Sequence, residues 1–297
     1  MQPIHPADLT AYLADRIMSR FLADDRTIKL LIAGLVSQSN TLISGPPGTG
    51  KSTAAAATCA AAGLAFGRAS GNSDMWASDF VGQSVWVASE ETFRFYPGPI
   101  FKEAMILDEL GRVPQRAQAA LLDAMNDGRV TEMGFEHRLS ETFMLIATVN
   151  SDRENLSAID PAVVDRFGLS IAVNRLTTAE ERGLLTNPKV AIEEEDGERS
   201  KLALAALRAF SSQTHVSEEV VDYGLNLLAW IRLQCDGVPS TRAAVALIKV
   251  ARAWALIDGR QYVTPDDVQA LLANVVNHRV AYEPHLVQGA IESVRVL

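Results

Sequence analysis

The sequence predicts an α/β fold with a P-loop, a five-stranded parallel sheet carrying two β-hairpin insertions, followed by an all-helical domain. Three observations carry that expectation. Up to about residue 175, short apolar runs alternate with helix-forming stretches, the pattern of a parallel sheet covered by helices. After Arg175 no strand-like run recurs. Between the first apolar run and the first Ala-rich helix lies the glycine-rich segment Gly45-Pro46-Pro47-Gly48-Thr49-Gly50-Lys51-Ser52.

The strands are expected at 41–44, 64–69, 104–107, 143–148 and 169–173, nearly all apolar, as strands buried on both faces should be. Two stretches interrupt the alternation. In 84–96, Val85/Val87 and Phe93/Phe95 alternate around the polar turn Ser89-Glu90-Glu91, which predicts a hairpin. A second hairpin is expected at 129–139 around Met133-Gly134, after a helix whose apolar face is Ala117, Ala120, Leu121, Ala124 and Met125. Helices are expected at 178–186, 199–213, 216–233, 240–258 and 265–277, with a weaker one near the C-terminus. Gly259 closes one of them, and Thr264, Pro265 and Asp267 supply the N-cap, N1 and N3 residues of the next. The acidic run Glu193-Glu194-Glu195-Asp196 reads as a solvated loop. The expected domains are 1–175 and 176–297.

The 297 residues are 48% hydrophobic, enough for a main domain and a smaller one. With 27 basic against 36 acidic residues the formal charge is −9, which makes nucleic acid a poor default partner. Cys59 and Cys235 stand alone without metal-ligand spacing, as in a reduced, cytoplasmic protein. The first residues lack a basic patch followed by an apolar run, and the Ala-rich stretch 53–66 is too short to span a bilayer, so neither secretion nor membrane insertion is indicated.

The segment 45–52 matches G-x-x-x-x-G-K-[ST], in which glycines let successive backbone N–H groups curl around the β- and γ-phosphates of a nucleotide. Lys51 is expected to neutralise γ-phosphate charge, Ser52 to ligand Mg²⁺, and the helix opening through Thr53 to offer its positive end to the same anion. In Met105-Ile106-Leu107-Asp108-Glu109, two acids stand at the carboxyl end of a buried strand, the edge where open α/β sheets bind ligands. Asp108 would hold Mg²⁺ through its water shell, and Glu109 would orient and deprotonate the attacking water. Asn150 ends the next strand and either holds that water or is an ordinary turn residue. Arg166 and Arg242 suit either phosphoryl-charge stabilisation or surface ion pairing, and spacing does not separate the two.

Together these residues resemble an AAA+ ATPase, and within that superfamily the MoxR family, from about Arg26 to Arg279. Gly98-Pro99-Ile100-Phe101, Leu107-Asp108-Glu109, the block from Gln118 to Met125, Ala147-Thr148-Val149-Asn150, Asp165-Arg166-Phe167 and Thr241-Arg242-Ala243 carry the likeness. Gly111-Arg112 departs from it, since the family usually has Asn before that arginine. Asn150-Ser151-Asp152-Arg153 is also similar to the McrB and dynein-related branch, but lacks the Asn-Thr-Ala-Asp of its GTP enzymes, which favours ATP.

The resemblance implies Asn150 as sensor 1, Arg166 as an arginine finger on the neighbouring subunit's nucleotide, and Arg242 as sensor 2 in a helical lid. It implies a ring, usually a hexamer, with the two hairpins as the helix-2 insert and pre-sensor-1 hairpin at its pore. Trp86, Phe93, Phe95 and Tyr96 would then grip a protein client, or else pack on their own body. It implies chaperone-like remodelling of a client such as a maturing metalloenzyme, with a von Willebrand factor A domain partner. The rival classes are a nucleic-acid motor of the McrB or MCM type, which DNA-stimulated hydrolysis would reveal, and a nucleotide-gated scaffold with negligible turnover.

Overall fold

The computed structural model describes residues 5–186, 197–235, 238–280 and 283–296. Helices α1 (Pro6–Met18) and α2 (Asp25–Val36) lead into β1 (Thr41–Gly45) and α3 (Lys51–Ala61). Then come β2 (Phe66–Ser70), the short α4 (Ser78–Val81), the hairpin β3 (Gly82–Val87) and β4 (Thr92–Pro97), and β5 (Ala104–Asp108). Helix α5 (Gln115–Asp127) precedes the hairpin β6 (Arg129–Glu132) and β7 (Phe135–Arg138), then β8 (Met144–Asn150), α6 (Arg153–Ser157), α7 (Pro161–Val164) and β9 (Leu169–Ala172). Among the described residues the elements that follow are helices: α8 (Thr178–Thr186), α9 (Gly197–Gln213), α10 (Glu218–Gln234), α11 (Thr241–Ile257), α12 (Pro265–Val276) and α13 (Pro284–Ser293). The acidic run 193–196 lies outside the described residues.

The five-stranded sheet has the order β2-β5-β8-β1-β9, every pairing parallel. Period-two alternation sends each strand's side chains to two different cores. Ala104, Ile106, Met144, Ile146, Leu169 and Ile171 join the helices α1, α2 and α3 and the C-terminal helices on one face. Leu42, Met105, Leu107, Leu145 and Ala147 pack on the other face with Leu121, Phe80 and Phe167. Each of the Leu, Ile, Met and Phe side chains, fully buried, contributes about 1.5–3 kcal/mol.

Strand β2 corrects the expectation of strands buried on both faces. It lies at the sheet edge and is only half-covered, because no strand among the described residues pairs with its outer side. The two hairpins form where expected, and each is a separate two-stranded sheet. They are joined to one another: the Glu132 carboxylate accepts from the backbone N–H of Ser84 at 3.0 Å and from its hydroxyl at 2.5 Å. Phe95 stacks on His137 with ring centroids 4.0 Å apart and meets Phe101 edge-on. Phe95 is thus an internal packing residue rather than a free gripping aromatic. Trp86, Phe93, Tyr96, Met133 and Phe135 remain about half or more exposed.

Helices α1 and α2 carry no motif, yet they join the sheet to the C-terminal helices. In α2, Lys29 places its ammonium 3.5 Å from the centroid of Trp254 in α11 and pairs with Asp258. Arg26 donates to the Ala270 carbonyl at 2.6 Å. Among the described residues no helix is long and apolar enough to cross a membrane.

The start of α12 is as expected: Thr264 caps it, Pro265 follows, and Asp267 closes a capping box. Asp267 is 4% exposed and accepts both Nη atoms of Arg260 at 2.6 Å. Burial opposes its charge, but hydrogen bonds from Arg260 and Thr264 outweigh burial and hold the carboxyl below its usual range. Its contribution is therefore present above about pH 4 and lost as the pH falls through the depressed native value. Asp267→Ala is expected to cost about 3 kcal/mol in chemical denaturation, because it removes a cap and strands a half-buried guanidinium. A change below about 0.5 kcal/mol would count against this account.

Candidate active site

The parallel sheet brings the carboxyl ends of β1, β5 and β8 together, and with them the motif residues. Register pairs Gly45 with Asn150 and Leu107 with Ala147, so the glycine loop, Asp108, Glu109 and Asn150 share one edge. Gly48 and Gly50 hold φ of +80° and +81°, the left-handed region that glycine enters without a steric cost. A Cβ built on Gly48 would meet no atom within 4 Å, so the crown of the loop stands clear of the protein. Among the described residues, none accepts a hydrogen bond from the backbone N–H groups of Gly48, Thr49, Gly50, Lys51, Ser52 or Thr53. Converging N–H groups at the start of an eleven-residue helix form an anion cradle. They fit a polyphosphate, with the Ser52 hydroxyl and the Asp108 carboxylate as the donors suited to its Mg²⁺.

Lys51 Nζ donates to the carbonyls of Gly45 (3.0 Å) and Pro46 (2.8 Å) and to Asn150 Oδ1 (2.9 Å). Burial lowers its pKa, opposed in turn by the charges of Glu109, Asp108 and Asp152. One ammonium thus links the loop to the end of β8. The buried Asp108 accepts from Thr148 Oγ1 at 3.2 Å and from Arg68 Nε at 2.7 Å. The same Thr148 hydroxyl accepts the backbone N–H of Glu109 at 3.0 Å. Glu109 itself has φ +54° and ψ +50°, a left-handed conformation costing a non-glycine residue about 1–2 kcal/mol. Its carboxylate accepts from Arg112 Nη1 at 2.7 Å.

Four participants are given no role by the sequence. Arg68 pairs in register with Ile106, two residues before Asp108 on the same strand face, so strand register is the signal that finds it. Thr148 follows from the Leu107–Ala147 pairing in the same way. Arg112 is the arginine of the departing Gly111-Arg112 pair, and here it serves Glu109 of its own chain. Gly111 is explained by space: a Cβ there would lie 3.0 Å from the Asn155 Cα and closer still to its carbonyl. Phe21, between α1 and α2, lines a cavity of about 420 Å³ with Pro47, Gly48, Thr53, Arg175 and Leu176, beside the loop. Only the three-dimensional return of the N-terminal segment reveals it.

Arg166 and Arg242 do not join this edge. The Arg166 carbonyl accepts from Asn40 Nδ2 and the next residue but one, Gly168, donates to the Asn40 carbonyl at 2.9 Å. Asn40 precedes β1, whereas the phosphate loop follows it, so the whole strand of about 16 Å lies between them. The Arg166 guanidinium donates from Nε to Asn126 at 2.8 Å, and burial followed by the charge of Arg242 lowers its pKa. Arg242 lies 3.6 Å from Asp165, next in chain to Arg166. Both arginines line a second cavity of about 730 Å³ with Lys249 and Arg279, at the amino-terminal edge of the sheet.

The chain is similar to known proteins over most of its length. Residues 40–169 match the family model "ATPase family associated with various cellular activities (AAA)", and residues 236–294 match the AAA lid domain. The protein MoxR of Paracoccus denitrificans is 29% identical, covering 89% of this chain and 87% of its own length. The chaperone MoxR1 of Mycobacterium tuberculosis is 26% identical, covering 93% of this chain and 76% of its own. The crystal structure of a candidate ATPase from Cytophaga hutchinsonii superposes with a TM-score of 0.82 over 98% of this chain and 96% of that one, at 23% identity, and shares the fold. With a phosphate cradle after β1, two acids at the end of β5 and a helical C-terminal region in the matching order, the chain belongs to the MoxR family of AAA+ ATPases.

Proposed function

We propose that the chain works in the cytoplasm as a closed ring, a hexamer, in which each ATP site is built from two subunits and turnover remodels a protein client. One subunit contributes Gly45 to Thr53, Asp108, Glu109 and Asn150; the next contributes Arg166 and Arg242. The observation that carries this reading is the length of β1 separating both arginines from their own phosphate loop. Neither side chain spans that distance, and both stand on a cavity rimmed by cations that suits a neighbour's phosphates.

In this reading Ser52 and Asp108 would hold the Mg²⁺ of the bound ATP, and the ion would supply neutralisation of phosphate charge. Glu109 accepts a proton from water as its oxygen bonds to the γ-phosphorus and the bond to the β–γ bridging oxygen breaks, releasing ADP and phosphate. Asn150 orients that water and, through Lys51, reports on the phosphate loop. The adjoining subunit's Arg166 and Arg242 stabilise charge on the transferring group. Residues 1–175 act as the core and 176–297 as the lid, and their relative motion drives the joined hairpins. Exposed Trp86, Phe93, Met133 and Phe135 then engage the client. The chaperone name of a relative supports remodelling, and the family resemblance supports a maturing metalloenzyme as client and a von Willebrand factor A domain protein as partner.

Mixing tests the shared site. Lys51→Ala lacks the cradle and Arg166→Ala lacks the finger, so each variant alone is expected to be inactive. Random co-assembly places an intact cradle beside an intact finger at about one site in four, and phosphate release should recover to about a quarter of wild type. A mixture as inactive as its components would rule the shared site out.

A further inference from the structure

The segment that bears Arg166 belongs to the α/β region by sequence, but it is fastened from the helical region. Arg279, in the turn after α12, has a side chain only 2% exposed. Its Nη2 donates to the carbonyl of Asp165 at 3.0 Å and to that of Phe167 at 2.7 Å, the residues on either side of Arg166. Its Nε donates to Asp165 Oδ1 at 3.2 Å, and Nη1 donates to the Val275 carbonyl. The neighbouring His278 is fully buried, with Nε2 2.9 Å from the same Phe167 carbonyl. Burial and then Arg279 push its pKa well below the usual value, so the ring is neutral and Nε2–H donates.

Asp165 is also held from α11. The Ser240 hydroxyl lies 2.8 Å from both carboxylate oxygens, and Ser240 is at the same time the N-cap of the helix that begins with Thr241 and Arg242. Two separate helical-region segments therefore converge on three consecutive residues of the core. A planar guanidinium bracketing a side chain by the carbonyls on both sides fixes that residue's backbone without touching its head group. Burial lowers the Arg279 pKa to about 10, with Asp165 acting against it, so the group stays charged at neutral pH.

We propose that Arg279 is a positioning residue, which clamps Asp165 and Phe167 to the helical region and thereby aims Arg166, together with Arg242, at the adjoining subunit's nucleotide. This rests on the shared-site reading above. It adds that Arg166 moves with the lid of its own subunit, so a lid displacement in one subunit is delivered as an arginine displacement in the next one's site.

The decisive measurement is a double-mutant cycle on kcat between Arg279→Lys and Arg166→Ala. Lysine keeps the charge but has one nitrogen in place of three, so it cannot hold both carbonyls, the Asp165 carboxylate and the Val275 carbonyl at once. Arg279→Lys is expected to lower kcat about a hundredfold, the effect of misplacing a transition-state group. Affinity for a fluorescent ATP analogue should not change, because the phosphate loop lies at the opposite edge. The double variant should be no slower than Arg166→Ala alone, and Arg279→Lys mixed with Lys51→Ala should recover activity. A purely structural Arg279 would give additive losses and weaker nucleotide binding, and that result overturns the proposal. So does unchanged kcat in Arg279→Lys while Arg166→Ala is impaired, which leaves the shared site standing. Full activity in Arg166→Ala would instead remove the shared-site reading and this proposal with it. Where Arg279→Lys does not fold, Asp165→Asn, on the partly exposed side of the same contact, decides through the same cycle.

Discussion

Glu109→Gln is expected to lower kcat about a thousandfold while leaving ATP affinity within a few fold. The amide is close in shape to the carboxylate and keeps the backbone N–H on Thr148, so the left-handed turn at Glu109 persists. Lys51, Asn150 and Asp108 make their contacts independently of the Glu109 carboxylate. What is lost is the proton acceptor. Phosphate release under saturating ATP, measured beside titration of a fluorescent nucleotide, separates the two effects. Equal slow turnover in wild type and variant would favour the nucleotide-gated scaffold over a working motor.

The second large effect belongs to Arg166. Arg166→Ala should reduce kcat about a thousandfold, the scale on which an arginine supplied to a transferring phosphoryl group acts. Nucleotide affinity should stay near wild type, since Arg166 stands an entire strand away from its own loop. Arg166→Lys should restore little, because an ammonium does not reproduce the planar fork that now meets Asn126 and would meet phosphate oxygens. A variant that loses binding and turnover together would point to a role within its own subunit. Full turnover in dilute, monomeric protein would end the ring reading altogether.

The gathering of the motif residues at the carboxyl edge of the sheet is legible because its parts are local. A glycine loop between a strand and a helix, or two acids closing an apolar strand, needs only neighbouring residues to be recognised. The five strands and both hairpins were legible for the same reason, since alternation and turn residues are short-range signals. Contacts made across the fold were not. Arg68 reaches Asp108 through strand register, and Phe21 reaches the loop through the packing of α1 and α2. An apolar stretch such as α2, with nine of its twelve residues buried, has no clear face to identify it as a helix. Phe95 misleads for the converse reason: alternation shows which face a side chain takes, and His137 from the other hairpin is what covers it.

The opposed edges of the sheet give each subunit a direction. In the proposed ring one edge offers a cradle and needs arginines, and the other offers arginines and needs a cradle, so subunits would add head to tail and identical faces would never meet. An open row of such subunits always carries one cradle without a partner and one pair of arginines without a target. Closing the row removes both ends at once and makes every site whole. On that reading catalytic output per chain depends on assembly, and dilution should silence the enzyme more steeply than it silences nucleotide binding.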